Sequence, residues 1–550
     1  MMFLHRHLCT TTTTSKSSSI PWRYRKVAVR RGQQALTEYL HATRCIPYVY
    51  ADQIAKNSLL SLTNLITKLG TFSPSNFPNN LNKFLRYNPI NEFEFFFESI
   101  GIHPSHHPSL WPHNKYFFSE DESLFDAACA LSEFGFPWDK LGVLYVECGS
   151  VFKWSASELK GRLCWFKRYG FCNVQVMGVC LAFPSVFGGQ LGSEIDALLA
   201  DLRLVFLDFD LEGCVEGNVD AWYEVCRKIK VFYDLNGGIG KIGEVIGRNK
   251  HVIVEHGEGE LVQAAGFFSR FGAKKEELAR LILESSELLS LDLEMQVINV
   301  LKLLKHFGMS SNGVKDVRTN YAHALGTIRM ANLPNVMKAL GLNEWFFDKI
   351  KDGNHMLLVN YVASYPDENL DKRYLSCLEK IRASRTSAHC IGKLNFLLAI
   401  GFGENALTMN VFSHLHGTGG ELKTRFDCLL HLGIEFSKVF KMISICPRIL
   451  NHKPELLEQK ISFFCQEMGK SVEDLVSFPA FLCFDLENRI KPRYRFHMWL
   501  LEKGLSSKKY SIASLIASSN KTFVARAFKI HPAALKHWFE QSYPSKLPVQ

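Results

Sequence analysis

The chain has 550 residues, 47% of them apolar and 21% charged, which is enough for several domains or one long repeat array and excludes disorder over most of the length. The net charge of +10 is unevenly spread: residues 1–37 hold seven Lys/Arg and no acid, residues 487–550 hold twelve Lys/Arg against three acids, and residues 38–420 are net acidic, 37 against 42. Fifteen cysteines with no C-x-x-C pair argue against a disulfide framework or a cysteine-rich zinc site, and are expected to be mostly buried small hydrophobes in a reducing compartment.

The N-terminus, MMFLHRHLCTTTTTSKSSSIPWRYRKVAVRRGQQ, is rich in Arg, Ser and Thr and has the composition of an organellar transit peptide, placed at residues 1–40. A basic tail that binds nucleic acid directly is the alternative. The apolar run Met1–Leu4 is too short for a secretory signal. Five arginines against two lysines favour the mitochondrion over the chloroplast. Residues 41–92 read as a variable, weakly structured linker.

From there a repeat runs along the chain. Segments such as LSEFGF, FKRYGF, LKHFGM and LLHLGI each join an amphipathic run to a glycine and another apolar residue. The glycines are Gly101, Gly135, Gly170, Gly237, Gly272, Gly308, Gly341, Gly401, Gly433, Gly469 and Gly504, and eight of their ten intervals fall between 32 and 36 residues. Glycine tolerates the left-handed conformation that ends a helix. The long interval after Gly170 predicts a degenerate copy near Leu204–Asp210. The irregular one before Gly401 predicts an insertion or distorted copy around Tyr365–Cys390. A second helix follows each glycine and ends at a Pro-x-apolar-apolar step, as in Pro184-Ser185-Val186-Phe187, Pro447-Arg448-Ile449-Leu450 and Pro479-Ala480-Phe481-Leu482. No such unit buries its apolar face alone, so the fold class is all-α: a superhelical solenoid, of either hand, with helical repeats of about 35 residues over 93–540 and a disordered tail at 541–550.

Three other signals carry less. His103, His106, His107 and His113 lie in a proline-broken loop without partners at metal-ligand spacing, and His414 and His416 are similar. The uncharged stretch Tyr169–Ser193 contains polar residues, Pro184 and several glycines, and reads as buried helices joined by a turn; no membrane span is expected. Gly238–Gly243 matches G-x-G-x-x-G, but the preceding VCRKIKVFYDLN reads as a repeat helix, not the strand of a dinucleotide site. No catalytic constellation is legible. The chain is expected to be a non-enzyme that acts as a monomer with no cofactor and no metal.

The segments PRILNHKPELLEQKISFF and SFPAFLCFDLENRIKPRYRFHMWLLEKGL closely resemble the mitochondrial transcription termination factor (mTERF) family, and FGFPWDKLGVLYVECGSVF looks like the N-terminal repeats of its plant members. The resemblance runs from about Phe93 to Phe539 and is strongest over 421–505. It implies an imported protein built of three-helix repeats, whose basic face binds DNA or RNA in organellar transcription, its termination, or RNA processing and splicing. The chain departs from that pattern where central units, such as the one after Gly308, lack the proline step.

Phosphate binding calls for Lys/Arg clustered on one face. The densest cluster is Arg489, Lys491, Arg493 and Arg495, followed by Lys503, Lys508 and Lys509; Lys423, Arg425, Arg448 and Lys453 in the adjoining repeats are secondary candidates. Tyr494 is the interleaved aromatic best suited to stack on an unpaired base. The expected partners are organellar DNA or RNA, and other organellar gene-expression proteins. The acidic middle supports an alternative, a protein-interaction scaffold with little nucleic-acid binding.

Overall fold

The computed structural model describes residues 22–69, 76–103, 115–188, 193–236, 242–294, 296–353, 371–505, 511–530, 534 and 536–538. The described chain is almost entirely helical, as the periodicity predicts, and divides into two compact units, residues 1–261 and 262–550. The division was not foreseen in the single array expected over 93–540.

The repeat glycines do what their spacing implies. Ten of the eleven are described, and every one has a positive φ, from 61° at Gly469 to 123° at Gly135. Gly237 lies outside the described residues. The degenerate copy is present too: the helix Ser193–Arg203 runs into the turn Leu204–Asp208, and Asp210 takes the left-handed conformation (φ 53°) that glycine takes elsewhere. Asp is one of the few L-residues that tolerates it.

The glycines differ in what surrounds them. At Gly401 (φ 100°) an added Cβ would sit 2.7 Å from the Asn335 carbonyl oxygen, whereas at Gly469 it would meet open space. Gly401→Ala is therefore expected to lower stability by about 1–3 kcal/mol, and Gly469→Ala to cost about 1 kcal/mol. Denaturant midpoints of the two variants check that order.

Each proline step opens a short third helix. Pro447–Asn451 and Pro479–Cys483 form 3-10 turns with proline in their first turn, where its missing N–H costs nothing. Their apolar pairs, Ile449 with Leu450 and Phe481 with Leu482, are fully buried, as is Phe187 in the equivalent helix Ser185–Gly188. The turns Pro447–Asn451 and Pro479–Cys483 pack on each other, joining successive repeats.

Three expectations need correction. Residues 41–92 are not a weakly structured linker: they hold the helices Tyr48–Asn57, Leu59–Lys68 and Phe77–Tyr87. Tyr50 stacks on the buried Trp138, whose indole N–H donates to Ser99 Oγ at 2.9 Å. The Glu98 carboxylate accepts from Ser61 N at 2.8 Å and from Leu60 N, capping the helix start there, and Arg44 pairs with the buried Glu92. The stretch 1–40 expected to be a transit peptide also overlaps a packed element, because the helix Trp22–Glu38 buries Ala28, Ala35 and Leu36 in the first unit. Residues 1–21 and 541–550 lie outside the described residues. Finally, the fourteen described cysteines are mostly exposed or half-buried, and only Cys180 and Cys226 are buried.

In the second unit, Val297–Asn299 and Thr327–Arg329 pair as a short antiparallel ribbon with Ile298 opposite Ile328. The irregular interval before Gly401 contains an additional left-handed glycine, Gly353, and the helix Lys372–Ala383 ahead of the repeat helix Ser387–Ala399. No described helix is long and apolar enough to cross a membrane.

Candidate nucleic-acid interface

The ends of helices and 3-10 turns leave carbonyl groups without N–H partners. This chain meets several of them with buried or half-buried cations. Arg162 donates to Val186 O at 2.6 Å, Lys228 to Ile253 O at 3.2 Å, Lys393 to Leu415 O at 2.9 Å, Arg425 to Leu450 O at 2.9 Å and Lys460 to Leu482 O at 2.7 Å. In each pair the cation stands on the first helix of a repeat and the acceptor lies 22 to 25 residues on, at the end of the same repeat. Burial lowers the pKa of Arg162, Lys393 and Lys460, the expected response of a charge taken out of water.

Arg493 is the most complete of these clamps. It is 1% exposed; Nη1 donates to the carbonyls of Leu515 (3.1 Å), Ile516 (3.0 Å) and Ser518 (2.7 Å), and Nη2 donates to Asn520 Oδ1 at 2.6 Å. The guanidinium also lies 4.6 Å over the Phe523 ring. Burial, with the nearby Arg489 charge, brings its pKa down to about 10.

This geometry sorts the predicted cluster. Two residues along a helix is about 200° of rotation, so an i, i+2 series splits between opposite faces. Arg489 and Arg493, four apart, turn inward. Arg489 Nε donates to Ile516 O at 2.9 Å and Nη2 to Ser518 O at 2.9 Å, with the guanidinium 4.5 Å over Phe484. Nη1 and Nη2 of Arg493, and Nε and Nη2 of Arg489, are thus engaged by the protein itself, which leaves these two expected contacts less open to a phosphate than an exposed cation would be. Lys491 and Arg495 turn outward. Lys491 is held by Glu487 and borders a cleft of about 510 Å³ lined by Glu455, Glu458, Glu467 and Glu487, a wall that repels phosphate. Arg495 alone of the four is exposed and makes no side-chain hydrogen bond or ion pair among the described residues.

Among the remaining candidates, Lys503, Lys423, Arg448 and Lys453 are exposed and make no side-chain hydrogen bond or ion pair among the described residues. Arg425 is half-buried and spent on the carbonyls of His416 and Leu450. Lys508 and Lys509 lie outside the described residues. Tyr494 is committed as well: its hydroxyl donates to Glu467 O at 3.1 Å and its ring meets Phe463 edge-on. The clamps were missed in the sequence, although a signal was there: Arg162, Lys228, Lys393, Arg425 and Lys460 all precede their repeat glycine by eight or nine residues.

The weaker signals resolve locally. Gly243 N donates to Asp201 Oδ2 at 3.0 Å, so a carboxylate stands where a phosphate would have to sit; Gly238–Lys241 lie outside the described residues. His414 Nδ1 bonds Asn410 O, and His416 N bonds Asn451 Oδ1, both at 2.8 Å, so this pair stitches a turn. His106, His107 and His113 lie outside the described residues.

Comparison with known proteins places this geometry among relatives. The mTERF family model matches residues 410–524, the segment that carries the last repeats and their clamps. The chain is 49% identical over 532 residues to "Transcription termination factor MTEF18, mitochondrial" of Arabidopsis thaliana, covering 96% of this chain and 95% of that protein. It is 33% identical over 105 residues to "Transcription termination factor MTERF15, mitochondrial" of the same plant, covering 19% and 24% respectively. It is 32% identical over 106 residues to that plant's "Transcription termination factor MTERF8, chloroplastic", covering 18% and 21%. No solved structure matches.

Proposed function

The chain belongs to the mTERF family, and from that premise we propose that it is a mitochondrial nucleic-acid-binding regulator of gene expression, acting in transcription, its termination, or RNA processing. The observation that carries this reading is the sorting of cations in the last repeats. Buried ones are saturated by carbonyls, while Arg495, Lys503, Lys423, Arg448 and Lys453 keep their donors in solvent. Exposed cations without internal partners are what phosphate contacts and counterion release require. The mitochondrial location rests on the Arg-rich, acid-free N-terminus and on the name of the relative that matches along nearly the whole chain.

The direct test incubates the full chain at low salt with pools of mitochondrial RNA and of mitochondrial DNA, and sequences what is retained. Enrichment of a discrete set of RNA or DNA segments supports the reading, and absence of binding to both pools contradicts it. A second reading, a protein-interaction scaffold, is favoured by the acidic stretch 38–420 and the glutamate-lined cleft beside Lys491. Crosslinking that recovers proteins and no nucleic acid would select it.

The helix Trp22–Glu38 is part of the folded first unit, so we place a removable address N-terminal to it. N-terminal sequencing of the imported protein is expected to start at or before Trp22. A mature start beyond Leu40 would remove a packed helix and contradict this placement.

A further inference from the structure

Cys446 and Cys483 stand at the junction of two successive repeats. Cys446 immediately precedes the 3-10 turn Pro447–Asn451, and Cys483 ends the next one, Pro479–Cys483. Their Sγ atoms are 3.4 Å apart, although 37 residues separate them in sequence. Both thiols are half-buried, close enough to solvent for a small disulfide to reach. We propose that Cys446 and Cys483 form a thiol–disulfide modification site, oxidised by a small-molecule disulfide of the glutathione class, that covalently ties two adjacent repeats.

The roles of the two sulfurs are unequal. The Cys446 pKa falls, because a hydrogen bond with the Cys483 thiol favours its thiolate and the Arg448 guanidinium lies close by; burial works against both. The Cys483 pKa rises, through that same hydrogen bond and burial. A thiolate near neutral pH is the attacking form. Cys446 Sγ⁻ attacks one sulfur of glutathione disulfide, forming a mixed disulfide and releasing one glutathione thiolate. The Cys483 thiol then gives its proton to the released base, and its sulfur attacks Cys446 Sγ, displacing the second glutathione. Two protein thiols and one glutathione disulfide become one protein disulfide and two glutathione thiols, so two electrons leave the protein with two protons.

A fully buried pair of cysteines provides a contrast. Cys180 and Cys226 lie in the core of the first unit, and burial raises both thiols far above their ordinary range. They are expected to stay reduced under the same conditions. The repeat junction is also a place where a bond changes something, because Arg448, an exposed cation, sits on the turn that the bond would fix.

The test equilibrates the folded full chain in glutathione buffers of graded ratio, quenches with acid, alkylates, and maps peptides by mass spectrometry. A Cys446–Cys483 linked peptide is expected to dominate at oxidising ratios and to disappear on return to reducing ones. Cys483→Ser removes the resolving sulfur and should accumulate glutathione on Cys446. Cys446→Ser should leave Cys483 largely unmodified. Circular dichroism of each serine variant confirms that the fold is intact. If both thiols stay reduced at ratios where the exposed Cys164 and Cys214 are glutathionylated, or if the serine variants behave alike, the proposal fails.

Discussion

Replacing Arg493 with alanine is expected to be among the most destabilising single changes in the second unit, costing about 3–5 kcal/mol. The side chain is 1% exposed and binds three main-chain carbonyls and the Asn520 amide oxygen. Truncation leaves those carbonyls buried or half-buried without a donor, and opens a cavity beneath Phe523. The loss should appear first in the helices Ile512–Ile516 and Asn520–Ile530, which the guanidinium ties to the helix Lys491–Glu502. Hydrogen exchange resolved by peptide checks this, with protection lost from residue 511 onward before the rest of the unit. Arg493→Lys keeps a charge with three donors but loses the planar fork, and should recover only part of the stability. Unchanged exchange in the alanine variant would mean that the clamp does not hold the last repeat.

The second large effect concerns binding. Changing Arg495, Lys503, Lys423, Arg448 and Lys453 together to alanine should lower nucleic-acid affinity roughly 10- to 1000-fold near physiological salt while shifting the thermal midpoint little. All five side chains are exposed and make no side-chain hydrogen bond or ion pair among the described residues, so their removal leaves no orphaned group. Arg493→Ala and this five-residue variant therefore separate two kinds of cation that look alike in the sequence. One breaks the fold of the last repeat, and the other breaks phosphate binding on an intact fold. Fluorescence anisotropy with a retained RNA or DNA segment, alongside thermal melts, distinguishes them.

How much of this was legible in the sequence follows from what each residue does locally. The glycines were legible because a left-handed helix end is a property of one residue, and all ten described repeat glycines adopt it. The degenerate copy was legible by spacing, although Asp210 carries the turn without a glycine. The proline steps were legible as breaks, but their role as the buried third helix needed the structure to seat Ile449, Leu450, Phe481 and Leu482. The helices of 41–92 were missed because Tyr48–Asn57 ends at Ser58 without the repeat's glycine, and its anchor, Tyr50 on Trp138, joins residues 88 apart. The candidate site was only half legible. Charge density picked out the cluster, yet reading Arg489, Lys491, Arg493 and Arg495 as one stripe ignored the rotation of the helix. A buried arginine and an exposed one share a letter, and the carbonyls that claim Arg493 lie 22 to 25 residues downstream.

The central claim is that the cations left in solvent, and not the buried clamps, carry nucleic-acid binding. The most direct measurement is the slope of log affinity against log salt for the wild-type chain and the five-residue alanine variant, on the same nucleic acid. The slope is expected to flatten by about 0.7–0.9 for each phosphate contact removed, and so by about 3.5–4.5 if all five cations contact phosphate. An identical slope in the two proteins, with both still folded, would contradict the account.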